Sequence, residues 1–317
     1  MQNKKILLGH GSGGKLMHGL IRSLLLKKLN NPILKELSDS ALIKYKDRLA
    51  FTTDSFVVSP LWFPGGDIGK LAVCGTVNDL VMLDRILEKI VDSISSHAKS
   101  AGVYFVTGDI KVVEKGAADK IFINTSGIGR IIKNRNLSHR NIEPDDKIII
   151  TGSIGQHGLA VLAKRNELGL GFNIQSDCAA LNNLILPILK KTALIKFMRD
   201  PTRGGVATTL NEIAAATRLG IIIDEKAIPI SGKVKVASEL LGIDPLYVAC
   251  EGRAILVVKN TAANKVLGLL RKHPQGKDAE IIGTVVRQPR ERVILNTVLG
   301  TQRIVDMLIS EPLPRIC

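Results

Sequence analysis

Aromatic side chains are scarce: Phe, Trp and Tyr together make up 3% of the 317 residues. With so little for bases to stack on, a nucleic-acid channel is disfavoured despite a formal net charge of +15. Nor is there a basic stripe. Lys27-Lys28, Lys190-Lys191, Lys233 and Lys235 are scattered, as on a solvated surface that would also attract anionic ligands such as nucleotides. No apolar run approaches the roughly 18–20 residues needed to span a bilayer. The stretch after the basic start Met1–Lys5 is far shorter than a signal-peptide core. The expectation is a cytoplasmic protein that binds neither nucleic acid nor membrane. The four cysteines, Cys74, Cys178, Cys250 and Cys317, form no C-x-x-C pair and have no histidine nearby at zinc spacing. Disulfides are not expected in a reducing compartment. Cys74, in an apolar strand-like run, reads as inert core, and Cys317 alone is expected to be accessible.

What the chain does have is a C-terminal arm, Glu311-Pro312-Leu313-Pro314-Arg315-Ile316-Cys317. Two prolines fix φ near the polyproline value and remove two donors, so the arm is stiff, extended and unsuited to a helix. A thiol there is badly placed for packing and well placed for carrying a group into a pocket. The alternative is a frayed tail with a cysteine at its end.

The length predicts two domains. The polar stretch Asn141-Ile142-Glu143-Pro144-Asp145-Asp146 marks the boundary, giving residues 1–141 (with a Gly-rich opening segment, 1–40), residues 142–310 and a mobile tail, 311–317. In the first half, helical periodicity runs over Leu16–Leu29 and Asp84–Lys99, strand-like patterns over Leu49–Val58 and Val103–Val106, and a Pro/Gly-rich loop over Pro60–Gly69. The second half reads as strand Lys147–Thr151, a helix from His157, a helix Gly205–Leu219, strand Ala254–Val258, a helix Ala262–Lys272, and strands Glu280–Val286 and Arg292–Asn296. Strands and helices mix without strict alternation, which predicts α+β rather than a doubly wound sheet.

Several constellations carry chemistry. His10-Gly11-Ser12-Gly13-Gly14-Lys15 precedes a helix, where glycines let a ligand approach and helix-start amides attract phosphate; it is neither a Walker A nor a G-x-G-x-x-G sequence, and a plain helix start fits it too. Asp54, Asp79 and Asp109 stand at the ends of apolar segments, where carboxylates can converge on Mg²⁺ carried by ATP phosphates; each alone is also a common turn former or cap. With Lys111 they form a candidate phosphate–metal site. Asp200-Pro201-Thr202-Arg203-Gly204-Gly205 supplies a fixed turn, a guanidinium and two glycines opening a helix; a reading in which Asp200 only caps that helix stands beside it.

The order HGSGG, Phe63-Pro64-Gly65-Gly66, GTVND (75–79), TGDIKVV (107–113), DPTRGG (200–205), Glu251-Gly252 and the tail Pro312–Cys317 resembles the hydrogenase maturation family HypE over almost the whole chain, the terminal PRIC being the most specific part. The resemblance implies a two-domain PurM-like (AIR-synthetase-like) α+β fold. Its N-terminal mixed-sheet domain would bind ATP and Mg²⁺ and form a homodimer, and its C-terminal domain would be an α/β sandwich. It further implies a C-terminal thiol carbamoylated by HypF, dehydrated with ATP to a thiocyanate, and relieved of its cyano group by a HypC–HypD complex. On that pattern His10–Gly14, Asp54, Asp79, Asp109, Asp200, Arg203, Gly204 and Gly205 would hold ATP, the three aspartates of the first half also holding Mg²⁺. Cys317 would be the carrier, Glu251 the candidate base, and Lys111 a neutraliser of transferring phosphate.

The chain departs from the family pattern at four places. It runs into a helix directly after Leu83, where relatives carry a further turn and an apolar segment. Gln156 stands for an Asp, Cys250 for an Asn and Arg253 for a Lys. Two other functions remain on the sequence: a selenophosphate-synthetase-like ATP enzyme, which would leave Cys317 without a role, and a non-catalytic maturation scaffold.

Overall fold

The computed structural model describes residues 15, 19, 22, 62–63, 66–67, 93–94, 96–102, 132, 135–165 and 173–309. The chain divides into two compact units, Leu42–Ile131 and the remainder. In the first, Trp62–Phe63 (β1) and Gly66–Asp67 (β2) pair antiparallel, so a small hairpin stands where Pro and Gly content predicts only loop. Of the helix predicted over Asp84–Lys99, residues 93, 94 and 96–99 are described and helical, and the helix continues to 101. The predicted strands Leu49–Val58 and Val103–Val106 lie outside the described residues.

The second unit is built on a seven-stranded mixed sheet. Its strands are Lys147–Ile150 (β3), Ile195–Arg199 (β4), Gly220–Asp224 (β5), Ile255–Val258 (β6), Glu280–Val286 (β7), Val293–Asn296 (β8) and Gln302–Ile304 (β9), in the order β4-β6-β3-β7-β5-β8-β9. All neighbours run antiparallel except β5 and β8. Among the described residues its helices after β3 are Gln156–Arg165 (α1), Asn182–Lys191 (α2), Gly205–Thr217 (α3), Gly232–Leu241 (α4) and Ala263–Arg271 (α5).

Period-two alternation sorts the central strands between two cores. Ile148, Ile150, Ile255 and Val257 point into one, shared with Val206, Leu210 and Ile213 of α3. Ile149, Leu256 and Val258 point into the other, shared with Leu184 and Ile188 of α2 and Val266 and Leu270 of α5. β3 and β6 are thus buried on both faces, which is why they read as unbroken apolar runs. Leu159 of α1 and Val234 and Ala237 of α4 form a smaller cluster.

Candidate functional site

The predicted site divides by what the structure describes. His10–Gly14, Asp54, Asp79, Asp109, Lys111 and Cys317 lie outside the described residues. Asp200, Arg203, Gly204, Gly205 and Glu251 lie within them, and the fold brings the motif at 200–205 directly against the loop that carries Glu251.

Two glycines make that contact possible. Gly204 (φ +73°) and Gly205 (φ +61°) are both in the left-handed region, and a Cβ on Gly205 would come within 2.5 Å of the Leu246 carbonyl oxygen and 2.8 Å of that of Val248. Only glycine gives this backbone and this approach together. The start of α3 is thereby pressed onto the segment 246–248, and the Cys250 amide completes the junction by donating to the Pro201 carbonyl (3.1 Å). Asp200 is not the helix cap. Gly204 holds that position, and the exposed Asp200 carboxylate accepts from the Thr202 hydroxyl (2.5 Å). Arg203 is exposed beside it.

Glu251 itself sits between the buried Cys250 and β6. Its backbone N–H donates to Asp177 Oδ1 (3.2 Å), a residue 74 positions earlier that no motif singles out. The Asp177 side chain is 0% exposed, and its second oxygen lies 3.6 Å from Arg253 Nε. Arg253 also spends three donors on neighbouring loops: Nε to the Ser153 carbonyl (2.9 Å), Nη1 to the Gly252 carbonyl (3.1 Å) and Nη2 to Gln156 Oε1 (3.1 Å). Gln156 and Arg253, two of the departures from the family pattern, are therefore hydrogen-bonded to each other. Gly252 is held so closely that a Cβ there would stand 1.8 Å from the Asp177 carbonyl oxygen.

Two cysteines flank this loop, and one of them corrects the sequence expectation. Cys178 is exposed, so Cys317 is not the sole accessible thiol that the sequence leads one to expect. Accessibility of a mid-chain cysteine depends on which loop carries it, and here the loop 173–180 runs along the surface while its Asp177 side chain points inward. Burial first, and then the Glu251 and Asp177 carboxylates, hold the Cys178 thiol above its ordinary range. Cys250 is wholly buried and its thiol is pushed up to about 12, by burial first and by Asp177 second. Neither has the depressed pKa of a resident nucleophile.

Among the described residues, no group of three or more His, Cys, Asp or Glu is placed to hold a metal ion. Nor is any described helix long and apolar enough to cross a membrane.

Comparison with known proteins covers both halves. The chain matches the AIR synthase related protein N-terminal domain over residues 37–83 and 82–131, and the corresponding C-terminal domain over residues 143–296. The break in the N-terminal match falls at Leu83, where the sequence departs from the family pattern. Carbamoyl dehydratase HypE of Rhizobium leguminosarum bv. viciae is 45% identical, with 99% of this chain and 96% of that protein covered. A crystal structure of a HypE–HypF complex matches with a TM-score of 0.76 and 45% identity, covering 91% of this chain and 99% of that one. The hydrogenase maturation protein HypE in complex with ATP matches with a TM-score of 0.72 and 43% identity, covering 99% and 100%.

Proposed function

Because the chain belongs to the HypE family of carbamoyl dehydratases, built from AIR-synthase-related domains, we propose that it uses ATP to dehydrate a carboxamide carried on its own Cys317. The product is a thiocyanate, the source of the cyanide ligands of the [NiFe]-hydrogenase iron. One observation carries this reading: a full-length match to carbamoyl dehydratases in a chain whose Pro312–Cys317 arm presents a thiol.

The chemistry sets what the residues must do. A carboxamide oxygen is a poor leaving group, so its attack on the γ-phosphorus of ATP releases ADP and converts that oxygen into a phosphate ester. One nitrogen proton is lost at this stage. Removal of the second proton, as the C–O bond breaks and phosphate departs, leaves S–C≡N. Glu251 is the base in this reading, on a backbone fixed against Asp177, and Lys111 offsets charge on the transferring phosphoryl group. Asp54, Asp79 and Asp109 would hold Mg²⁺, which would neutralise phosphate charge when bound. His10–Gly14 and Asp200–Gly205 would line the nucleotide, the latter through the exposed Arg203.

We place residues 1–141 as the nucleotide-binding domain, 142–310 as the second domain and 311–317 as the carrier arm. A HypF-type carbamoyltransferase would load the thiol, and a HypC–HypD complex would unload it. The protein would act in the cytoplasm as a homodimer. A second reading, a non-catalytic scaffold, is favoured by the break in the N-terminal match at Leu83.

The test is to mix the protein with HypF, carbamoyl phosphate and ATP, then read the intact mass and the C-terminal peptide. Carbamoyl gain at Cys317 followed by loss of one water supports the dehydratase. An adduct that never loses water, with HypF active, supports the scaffold.

A further inference from the structure

We propose that Asp177 and Arg253 are positioning residues that hold the Glu251–Gly252 backbone so that the Glu251 carboxylate meets the proton it removes. The inference rests on Glu251 being the base of the reaction above.

Three observations carry it. First, both ends of the two-residue unit are bonded to charged side chains. The Glu251 amide donates to Asp177 Oδ1, and the Gly252 carbonyl accepts from Arg253 Nη1. Second, the charges are mutually placed and buried. Asp177 Oδ2 makes no hydrogen bond among the described residues and faces Arg253 Nε at 3.6 Å, with side-chain exposures of 0% and 13%. Third, the clamp reaches beyond the loop. Nε and Nη2 of Arg253 also bind the Ser153 carbonyl and Gln156, at the turn into α1.

A buried ion pair is a poor way to gain stability, since removing two charges from water costs about as much as their attraction returns. It is a good way to fix geometry. A displacement of about 1 Å at a reacting group can lower a rate roughly 100-fold. With the Glu251 N–H and the Gly252 carbonyl both anchored, the backbone from which the Glu251 side chain springs is held in place. The rigid fork of Arg253 serves three acceptors at once, which a lysine ammonium on a flexible stem does not reproduce.

The experiment compares Asp177→Ala, Arg253→Lys and Glu251→Gln in the full chain, carbamoylated at Cys317. It reads single-turnover water loss by mass, KM for ATP, thermal midpoint, and hydrogen exchange of the peptide spanning Glu251. Expected are a loss of about 100-fold in rate for Asp177→Ala and about tenfold for Arg253→Lys. KM for ATP should stay within about twofold, and the Glu251 amide should exchange faster in Asp177→Ala. A purely structural pair would lower the thermal midpoint and leave the rate of folded molecules unchanged, and that result overturns the proposal. If Asp177→Ala does not fold, Arg253→Lys decides alone: a wild-type rate rejects the positioning role. If Glu251→Gln runs at the wild-type rate, Glu251 is not the base and the positioning role falls with it. That failure is separable from an inactive Glu251→Gln accompanied by fully active Asp177 and Arg253 variants.

Discussion

Gly252 is the least replaceable residue of the described site. Any Cβ there would stand 1.8 Å from the Asp177 carbonyl oxygen, and the obstacle is backbone rather than the end of a flexible side chain. Gly252→Ala should therefore lower stability by about 3 kcal/mol through forced separation of the 177 and 252 strands of chain. A denaturation midpoint equal to wild type would show that the two segments are not in contact. The cysteines allow a second check. Alkylation of the native protein should label Cys178 and spare Cys250, which should react only on unfolding. Because burial and then the nearby carboxylates raise the Cys178 thiol, less of it is thiolate at neutral pH, and its labelling should still be accelerating beyond the usual thiol midpoint. Native labelling of Cys250 would contradict its burial. Legibility at this scale follows the reach of each signal. Gly204 and Gly205 announce themselves as a pair before a helix. Asp177 acts through one oxygen on an amide 74 residues away, and no local pattern encodes that.

Strands and helices with strong periodicity were readable, and those that owe their form to neighbours were not. β7 has the bounds predicted, Glu280–Val286, and α3 and α5 differ from prediction by one or two residues at their ends. α2 is missing from the sequence reading because Pro187 sits inside it, and packing of Leu184, Ile185, Ile188 and Leu189 overrides the lost hydrogen bond. β9 reads Gln-Arg-Ile, is exposed throughout, and exists as a strand by pairing with β8. Edge strand β4 is held differently. Its Lys196 reaches Glu143 (2.7 Å) and the buried Asp146 (2.9 Å), tying β4 to the turn that starts β3. Burial alone would lower the Lys196 pKa, but hydrogen bonds to both carboxylates outweigh it and raise it; the hydrogen bond from Lys196 lowers that of Glu143. The lysine's contribution to stability is thus complete below its unfolded pKa and lost as pH rises through the raised folded value. The Glu143 contribution is complete above its unfolded pKa and lost as pH falls through the lowered one. Lys196→Met should cost about 2 kcal/mol at neutral pH, less than a fully buried pair and more than an exposed one. The difference from wild type should shrink toward both extremes of a pH series of denaturation curves. A pH-independent difference would assign the loss to packing.

For the molecule as a whole, the two-domain α+β architecture was legible from length and the mixture of strands and helices, whereas the sheet order was not. Non-adjacent pairing such as β3 with β7 depends on which apolar faces meet in space, and period-two patterns carry no partner label. The formal charge of +15 belongs to this scale as well. Raising salt from about 50 to 500 mM should weaken ATP association several-fold by screening the approach of a polyanion. Insensitivity to salt would mean that only contacts made after docking set the affinity. Cys317→Ala should abolish the carbamoyl adduct while ATP binding stays within about twofold of wild type, as measured by calorimetry; loss of both would place the arm within the nucleotide site. The strand order has one more effect, on the order of events during synthesis. β3 is made early and must wait for β6 and β7, and β5 waits for β7 and β8, so the sheet closes only when the last third of the domain has been translated. Cys317 follows β9 in the chain. A prematurely terminated product that lacks β8 therefore also lacks Cys317, so under the proposed function an incompletely folded fragment of that kind has no carrier thiol to load.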